Sequence, residues 1–160
     1  MTISPTVKLT DVIAPSFYPV HKDIKQGLHT YYDLYGGRGS TKSSFISAEI
    51  VLGIMQDPDA NAIVFRKYGT TLRESVFEQI AWAIGTLGVG HLWRAFLNPM
   101  QFVFLPTGQR ILFRGLDKAK KTKSIKVSKG YFKFLWLNTS DHVKPVKFRE
   151  TPMWTILSEG

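Results

Sequence analysis

YGGRGSTKSS, Tyr35 to Ser44, stands between an aromatic run and an apolar one. Its core, Gly36-Gly37-Arg38-Gly39-Ser40-Thr41-Lys42-Ser43, nearly matches the spacing GxxxxGK[ST], with Thr41 where a second glycine is usual. Consecutive backbone N–H groups at a helix mouth can wrap a phosphate. Glycines permit the backbone angles this needs, a lysine adds positive charge, and the following hydroxyl can ligate Mg²⁺. Gly36, Gly37, Arg38, Gly39, Ser40, Thr41, Lys42, Ser43 and Ser44 are therefore the candidate nucleotide-binding residues, with Ser43 the candidate Mg²⁺ ligand. Arg38, inside the loop, is the candidate catalytic group, since an arginine there could stabilise charge on a transferring phosphoryl group. The plain alternatives are a Gly/Ser turn whose lysine points into water, and a surface arginine.

Working outward, Leu28 to Tyr35 (LHTYYDLY) suits a buried strand feeding the loop. Beyond it Phe45, Ala48, Leu52 and Met55 recur at helical spacing. Ile46, Ile50, Val51 and Ile54 widen the apolar face, so this helix should be buried on more than one side. It should stop at Gln56-Asp57-Pro58-Asp59, because proline cannot continue it. Asn61 to Arg66 (NAIVFR) reads as a second strand. A second helix is expected from Thr71, where Thr71 and Glu74 have capping-box spacing and Leu72, Val76, Ile80, Ala83 and Leu87 share a face.

Strand, helix, strand, helix argues for a parallel sheet covered by helices. Gln101 to Leu105 and Gln109 to Arg114 flank Pro106-Thr107-Gly108 as a β-hairpin. Tyr131 to Leu137 (YFKFLWL) is a further apolar strand, whose aromatics alternate too closely with apolar residues to serve as stacking platforms. Residues 1–27, with Pro5, Pro15 and Pro19, show no useful periodicity and read as an irregular arm.

With 160 residues, 44% of them hydrophobic, the chain can bury a core as one domain. No apolar run approaches the roughly 20 residues of a membrane span, and no signal peptide opens the chain, so a cytoplasmic protein without a membrane partner is expected. Cys 0 excludes disulfides and thiolate zinc sites, leaving oxygen ligands for any metal. A net charge of +9 favours phosphate-bearing partners, nucleic acid first and nucleotide second.

Arg66, Lys67 and Arg73 flank the second strand and the next helix, at the edge where α/β ligands sit, and either touch nucleic acid or are solvated. The run Lys118, Lys120, Lys121, Lys123, Lys126, Lys129, Lys133 could track a DNA backbone without reading bases. The first five, together with Arg66, Lys67 and Arg73, are the candidates for nucleic-acid binding. One feature of an ATPase is missing. Hydrolysis needs one carboxylate to hold Mg²⁺ through water and a second to orient the attacking water, both at the end of an apolar strand. Tyr131 to Leu137 is followed by Asn138-Thr139-Ser140-Asp141, so the nearest carboxylate comes about three residues late.

Four stretches in this order, YGGRGSTKSS (Tyr35 to Ser44), VFRKYGTTLRESVFEQI (Val64 to Ile80), TGQRILFRGLDKAKKTKSIK (Thr107 to Lys126) and GYFKFLWL (Gly130 to Leu137), resemble the large subunit of tailed-bacteriophage DNA-packaging terminases. The branch is the one typified by the defective prophage PBSX. The resemblance covers roughly residues 30–137 and implies a P-loop NTPase-like α/β fold: a mostly parallel sheet with flanking helices and an inserted β-hairpin, incomplete at the C-terminus.

It further implies an ATP- and Mg²⁺-dependent motor that drives double-stranded DNA into a procapsid in a bacterial host, working with the terminase small subunit and the portal protein, and followed in the family by a nuclease domain. By position Lys42 and Ser43 take the phosphate and Mg²⁺ roles and Arg38 that of the family's loop arginine. Threonine at 41 is tolerated in this branch. On this division residues 1–27 are the arm, 28–138 a partial ATPase domain and 139–160 an atypical tail.

Family members carry an acidic pair where this chain has Asn138 and Thr139, and continue for several hundred residues. The expectation is a truncated or frameshifted terminase whose ATP hydrolysis is impaired. Its unfinished parallel sheet would leave an apolar edge that invites aggregation. The competing readings are a non-enzymatic basic module whose glycine loop grips nucleic-acid phosphate, a deliberately short nucleotide-binding protein, and a small P-loop kinase.

Overall fold

A computed structural model describes residues 7–34, 41–118, 125–138 and 154–158, the last as backbone only. Among the described residues the chain's α-helices are α1 (Tyr18–Gln26), α2 (Lys42–Gln56) and α3 (Glu78–Thr86). Its strands are β1 (Tyr31–Leu34), β2 (Ala60–Arg66), β3 (Trp93–Leu97), β4 (Met100–Phe104), β5 (Gln109–Gly115), β6 (Tyr131–Asn138) and β7 (Trp154–Ser158). They make one seven-stranded sheet in the order β1-β7-β6-β2-β5-β4-β3. The pairs β1·β7, β7·β6, β6·β2 and β2·β5 are parallel, whereas β5·β4 and β4·β3 are antiparallel. The expected fold class is therefore found: a parallel α/β sheet extended by a hairpin.

β2 sits between two parallel neighbours and is buried from Ala60 to Phe65, which explains its unbroken apolar run. Its two faces serve separate cores. On one, Ala62, Val64, Ile111, Phe113, Phe134 and Trp136 pack against α2 and α3. On the other, Ile63, Phe65, Leu112, Leu135 and Leu137 are covered by Leu116, Ile125 and Phe132. The aromatics of β6 are core residues, as the sequence indicates: Phe134 and Trp136 are fully buried.

α2 is apolar almost all round because it is enclosed almost all round, with Phe45, Ile46, Ile50, Val51 and Ile54 fully buried. Each such side chain contributes roughly 1.5–3 kcal/mol relative to exposure. Gly53 lets the helix lie directly on the Phe134 ring, since a Cβ there would overlap it. The end of α2 is satisfied by Gln109 of β5. Its buried amide donates to the carbonyls of Ile54 (2.9 Å), Asp57 (2.6 Å) and Ala60 (2.6 Å), tying the last turn and C-cap of α2 to the start of β2. Asn61 similarly bridges strands, donating to Lys129 O at 3.0 Å and accepting from Arg110 N–H at 2.9 Å.

Several local expectations change. The segment read as an irregular arm carries α1, which has Pro19 in its first turn and stops at Gly27. Only Ile24 of this helix is buried, so its apolar signal was too thin to show. The arm is nevertheless held to α2. Phe17 stacks on Phe45 at 4.8 Å, and His21 contacts the buried Glu49 carboxylate, whose pKa burial pushes up.

β1 is shorter than Leu28 to Tyr35 and lies at the sheet edge with Tyr31 exposed, so it is not a buried strand. The helix expected from Thr71 opens through a 3-10 turn (Gly69–Thr71) and a π turn (Arg73–Phe77). No capping box forms, because the Thr71 hydroxyl donates back to Tyr68 O at 2.8 Å. Its apolar face holds all the same: Leu72, Val76, Ile80 and Ala83 are buried. β3 had no sequence counterpart. β7, within the tail that looked atypical, runs parallel between β1 and β6.

Candidate nucleotide site

The parallel strands share one direction, so Leu34, Arg66, Gly115, Asn138 and Ser158 end along one edge of the sheet. This carboxyl edge is where open α/β sheets place ligands. α2 starts there at Lys42, after a seven-residue link from Leu34 of which Tyr35, Gly36, Gly37, Arg38, Gly39 and Ser40 lie outside the described residues. The described part has the backbone the motif demands. Thr41 takes the left-handed conformation (φ 61°, ψ 18°) at the position where glycine is usual. A β-branched residue accepts that geometry only at some cost, on the order of 1–2 kcal/mol. Phe45 N–H then donates to Thr41 O at 3.0 Å, starting the helix directly behind it.

Lys42 is buried and Ser43 half-buried at the first turn of α2. Ser44 points to the next helix, its hydroxyl accepting from Gln79 Nε2 at 3.4 Å, while Ser47 Oγ donates to Ser44 O at 3.0 Å. A hollow of about 460 Å³ opens at this point. Its lining combines Ser43 of α2, Trp136 and Asn138 of β6, Arg66 at the end of β2, and Glu74, Glu78 and Gln79 from the π turn and α3. Asn138 stands at the buried end of an apolar strand, lining the same hollow as Ser43, where a carboxylate is expected from the sequence.

Sequence reasoning missed Glu74, Glu78 and Gln79. They reach the hollow because α3, continuing from the π turn, packs beside α2, and no local pattern in the chain announces that. Among the described residues, the carboxylates around this hollow come from that helix and none from β6.

An Mg²⁺ ion with a triphosphate needs few protein ligands, since phosphate and water oxygens fill most of its octahedron. The donors present suit that mode: a serine hydroxyl at a helix N-terminus and an amide oxygen across the hollow. Among the described residues no group of three His, Asp or Glu side chains forms a metal cage.

The basic candidates divide. Arg66 is part of the hollow, and its Nη1 donates to Thr71 O at 3.5 Å. Lys67 and Arg73 are exposed beside it, Lys67 with its ammonium 5.5 Å from the Tyr68 ring centroid. The lysine segment begins at the same edge: Lys118 closes the 3-10 turn Leu116–Lys118 that follows β5. That turn is pinned to the Lys67 loop, Asp117 N–H donating to Lys67 O at 3.0 Å and Gly69 N–H to Asp117 Oδ1 at 3.2 Å. Gly115 permits the contact, because any Cβ there would run into the Gly69 backbone. Lys126 is exposed, and Lys120, Lys121 and Lys123 lie outside the described residues. Lys133 is not in this group: its ammonium pairs with Asp57 at 3.5 Å.

A parallel sheet, a strand–loop–helix connection carrying GxxxxTKS and a hollow at the helix mouth define a P-loop NTPase-like domain. The profile of the phage terminase large subunit family matches residues 29–153, beyond the Leu137 at which the recognisable stretches end. The chain belongs to that family. It is 40% identical over 131 residues to the terminase large subunit of Bacillus phage SPP1, a span of 82% of this chain and 31% of that protein. It is 32% identical over 121 residues to the PBSX phage terminase large subunit of Bacillus subtilis strain 168, 76% of this chain and 27% of that one. The chain therefore spans about a third of the length of these relatives. Among solved structures, the Phi-28 gp11 DNA packaging motor superposes with a TM-score of 0.54 at 13% identity, over 93% of this chain and 50% of that one, which is a likeness of fold. Among the described residues no helix is long and apolar enough to cross a membrane.

Proposed function

We propose that this chain is the ATP-gripping part of a DNA-packaging terminase motor, and that it holds nucleotide better than it hydrolyses it. The observation that carries the reading is the pairing of Ser43, at the mouth of α2, with Asn138, at the end of β6, across one hollow. On this reading the amides of Gly36 to Thr41 wrap the phosphates, Lys42 neutralises them and Ser43 ligates Mg²⁺, with Arg38 reaching the γ-phosphate. Burial of Lys42 lowers the dielectric around its charge and strengthens its attraction for phosphate. Bound Mg²⁺ would offset charge on the β- and γ-oxygens. Asn138 can orient a water through its amide but cannot take a proton from one, so the step that activates water has no base on this wall. Duplex DNA is the polymer moved. By family, the portal and the terminase small subunit are the protein partners and the host cytoplasm is the location.

Calorimetric titration of Mg-ATP tests the reading. Lys42→Ala should weaken binding by at least about 100-fold, as expected when a buried charge facing phosphate is removed, whereas neutralising Lys118, Lys120, Lys121, Lys123 and Lys126 should leave it within a few-fold. The reverse pattern supports the second reading, a basic module that binds nucleic acid without nucleotide. Asn138 in place of a carboxylate is the observation in that reading's favour.

A further inference from the structure

The sheet has two faces, and the nucleotide reading uses only the one that carries α2 and α3. On the other, Arg94 of β3, Val103 of β4 and Arg110 of β5 lie in one cross-strand row, with Arg114 on the same face of β5. Strands about 4.8 Å apart put the two outer arginines roughly 10 Å from each other. Both are exposed. The Arg94 guanidinium lies 5.2 Å from the Phe96 ring centroid, which limits its rotamers before anything binds. From Gln79 to Leu116 the chain contains no Asp or Glu, so nothing on the hairpin offsets these charges. The surface also continues. Ile125 packs on the Leu112 and Leu135 core of this same face, which brings the exposed Lys126 onto the arginine side of the sheet.

We infer that this second face, with Arg94 and Arg110 as its fixed points, is a track for the sugar–phosphate backbone of duplex DNA. The inference rests on the reading of the chain as part of a packaging motor and assigns its polymer to a surface away from the nucleotide hollow. A backbone track needs cations at intervals and no base-reading groups, and a motor that moves DNA of any sequence requires that kind of contact. A second copy of this chain fits worse. Pairing two β3 edges would bring Arg94 and Arg110 of one copy towards the same arginines of the other, with no carboxylate on either hairpin to compensate.

The test is duplex binding as a function of salt, with a short duplex of arbitrary sequence and Arg94→Gln/Arg110→Gln beside the parent chain. The slope of log K against log salt should fall by about two, one for each phosphate no longer neutralised, whatever the sequence. Affinity should drop roughly 10- to 100-fold, while Arg94→Lys/Arg110→Lys keeps the parent slope. Mg-ATP affinity, measured on the same samples, should not change. An unaltered slope in the Gln variant overturns the track, even where the parent chain binds both ATP and DNA. Self-association that disappears in the Gln variant also overturns it, in favour of a copy–copy interface. A parent chain that binds ATP but no duplex overturns the track and leaves the nucleotide reading standing. Arginine-selective modification of the parent chain needs no variant: duplex should protect Arg94 and Arg110, and equal modification with and without duplex counts against the track.

Discussion

Two walls of the hollow, α2 and β6, meet where Gly53 lies on the Phe134 ring yet differ in what they bring to a phosphate. The mouth of α2 carries, in sequence order, a left-handed Thr41, then Lys42 and Ser43, the residues to which the proposal gives the phosphate grip. β6 is buried at its end and terminates in Asn138, an amide that cannot take a proton from water. On the proposed function, binding and turnover depend on different walls, and a chain can keep one while lacking the other.

The contrast breaks most sharply if the deficient wall is restored. Asn138→Asp with Thr139→Glu should raise ATP turnover on the order of 100-fold, the usual contribution of a positioned acid–base group, while changing Mg-ATP affinity little. Steady-state phosphate release measures this. If the pair leaves turnover unchanged, the end of β6 is not what limits hydrolysis.

Next in size is the packing between the walls. Gly53→Ala drives a methyl into the buried Phe134 ring and should cost about 2 kcal/mol in denaturant unfolding, as overpacking does. At the mouth of α2, Thr41→Gly removes the penalty of a left-handed threonine and should stabilise the fold by about 1 kcal/mol with nucleotide binding retained. Destabilisation would mean that the Thr41 side chain contributes more than its backbone strain costs.

The smallest effect lies at the far end of the walls, where Asp57, just past α2, accepts from the Tyr131 hydroxyl of β6 at 2.6 Å. That hydrogen bond, with the Asp59 amide and Lys133, holds the Asp57 carboxyl below its ordinary 3.8, and burial and Asp57 together push the Tyr131 phenol up to about 12. A depressed carboxylate stabilises the fold above its ordinary pKa and loses that contribution as pH falls through the folded value. Asp57→Asn should therefore cost up to about 1 kcal/mol at neutral pH, and the gap from the parent chain should close as pH drops below 3.8. A gap independent of pH would assign the effect to shape rather than charge.

The same two walls show how much the sequence disclosed. α2 and β6 are legible because each is buried on most sides, so their apolar runs are long and tertiary context adds nothing contradictory. The hairpin is legible through Pro106-Thr107-Gly108, and the missing acid through Asn138 itself. Elements with little buried surface were not: α1 buries Ile24 alone, and β3 reads WRAFL with Arg94 and Ala95 exposed at the sheet edge. The spacing of Thr71 and Glu74 misled because the segment opens with a 3-10 turn, in which the threonine hydroxyl donates to Tyr68 O, and then a π turn that puts Glu74 on the hollow. Nothing local could place β7 between β1 and β6, since parallel neighbours are set by crossovers and not by adjacency in the chain.

Whether this chain grips ATP without activating water upon it is decided by a single-turnover experiment. Excess chain is mixed with radiolabelled ATP and Mg²⁺, and retained nucleotide and released phosphate are followed in the same samples. ATP should be retained intact, with release near the uncatalysed background over minutes. Complete hydrolysis at a rate on the order of 1 s⁻¹ or faster, as in working phosphoryl-transfer enzymes, or no ATP retained at all, would contradict the gripping role.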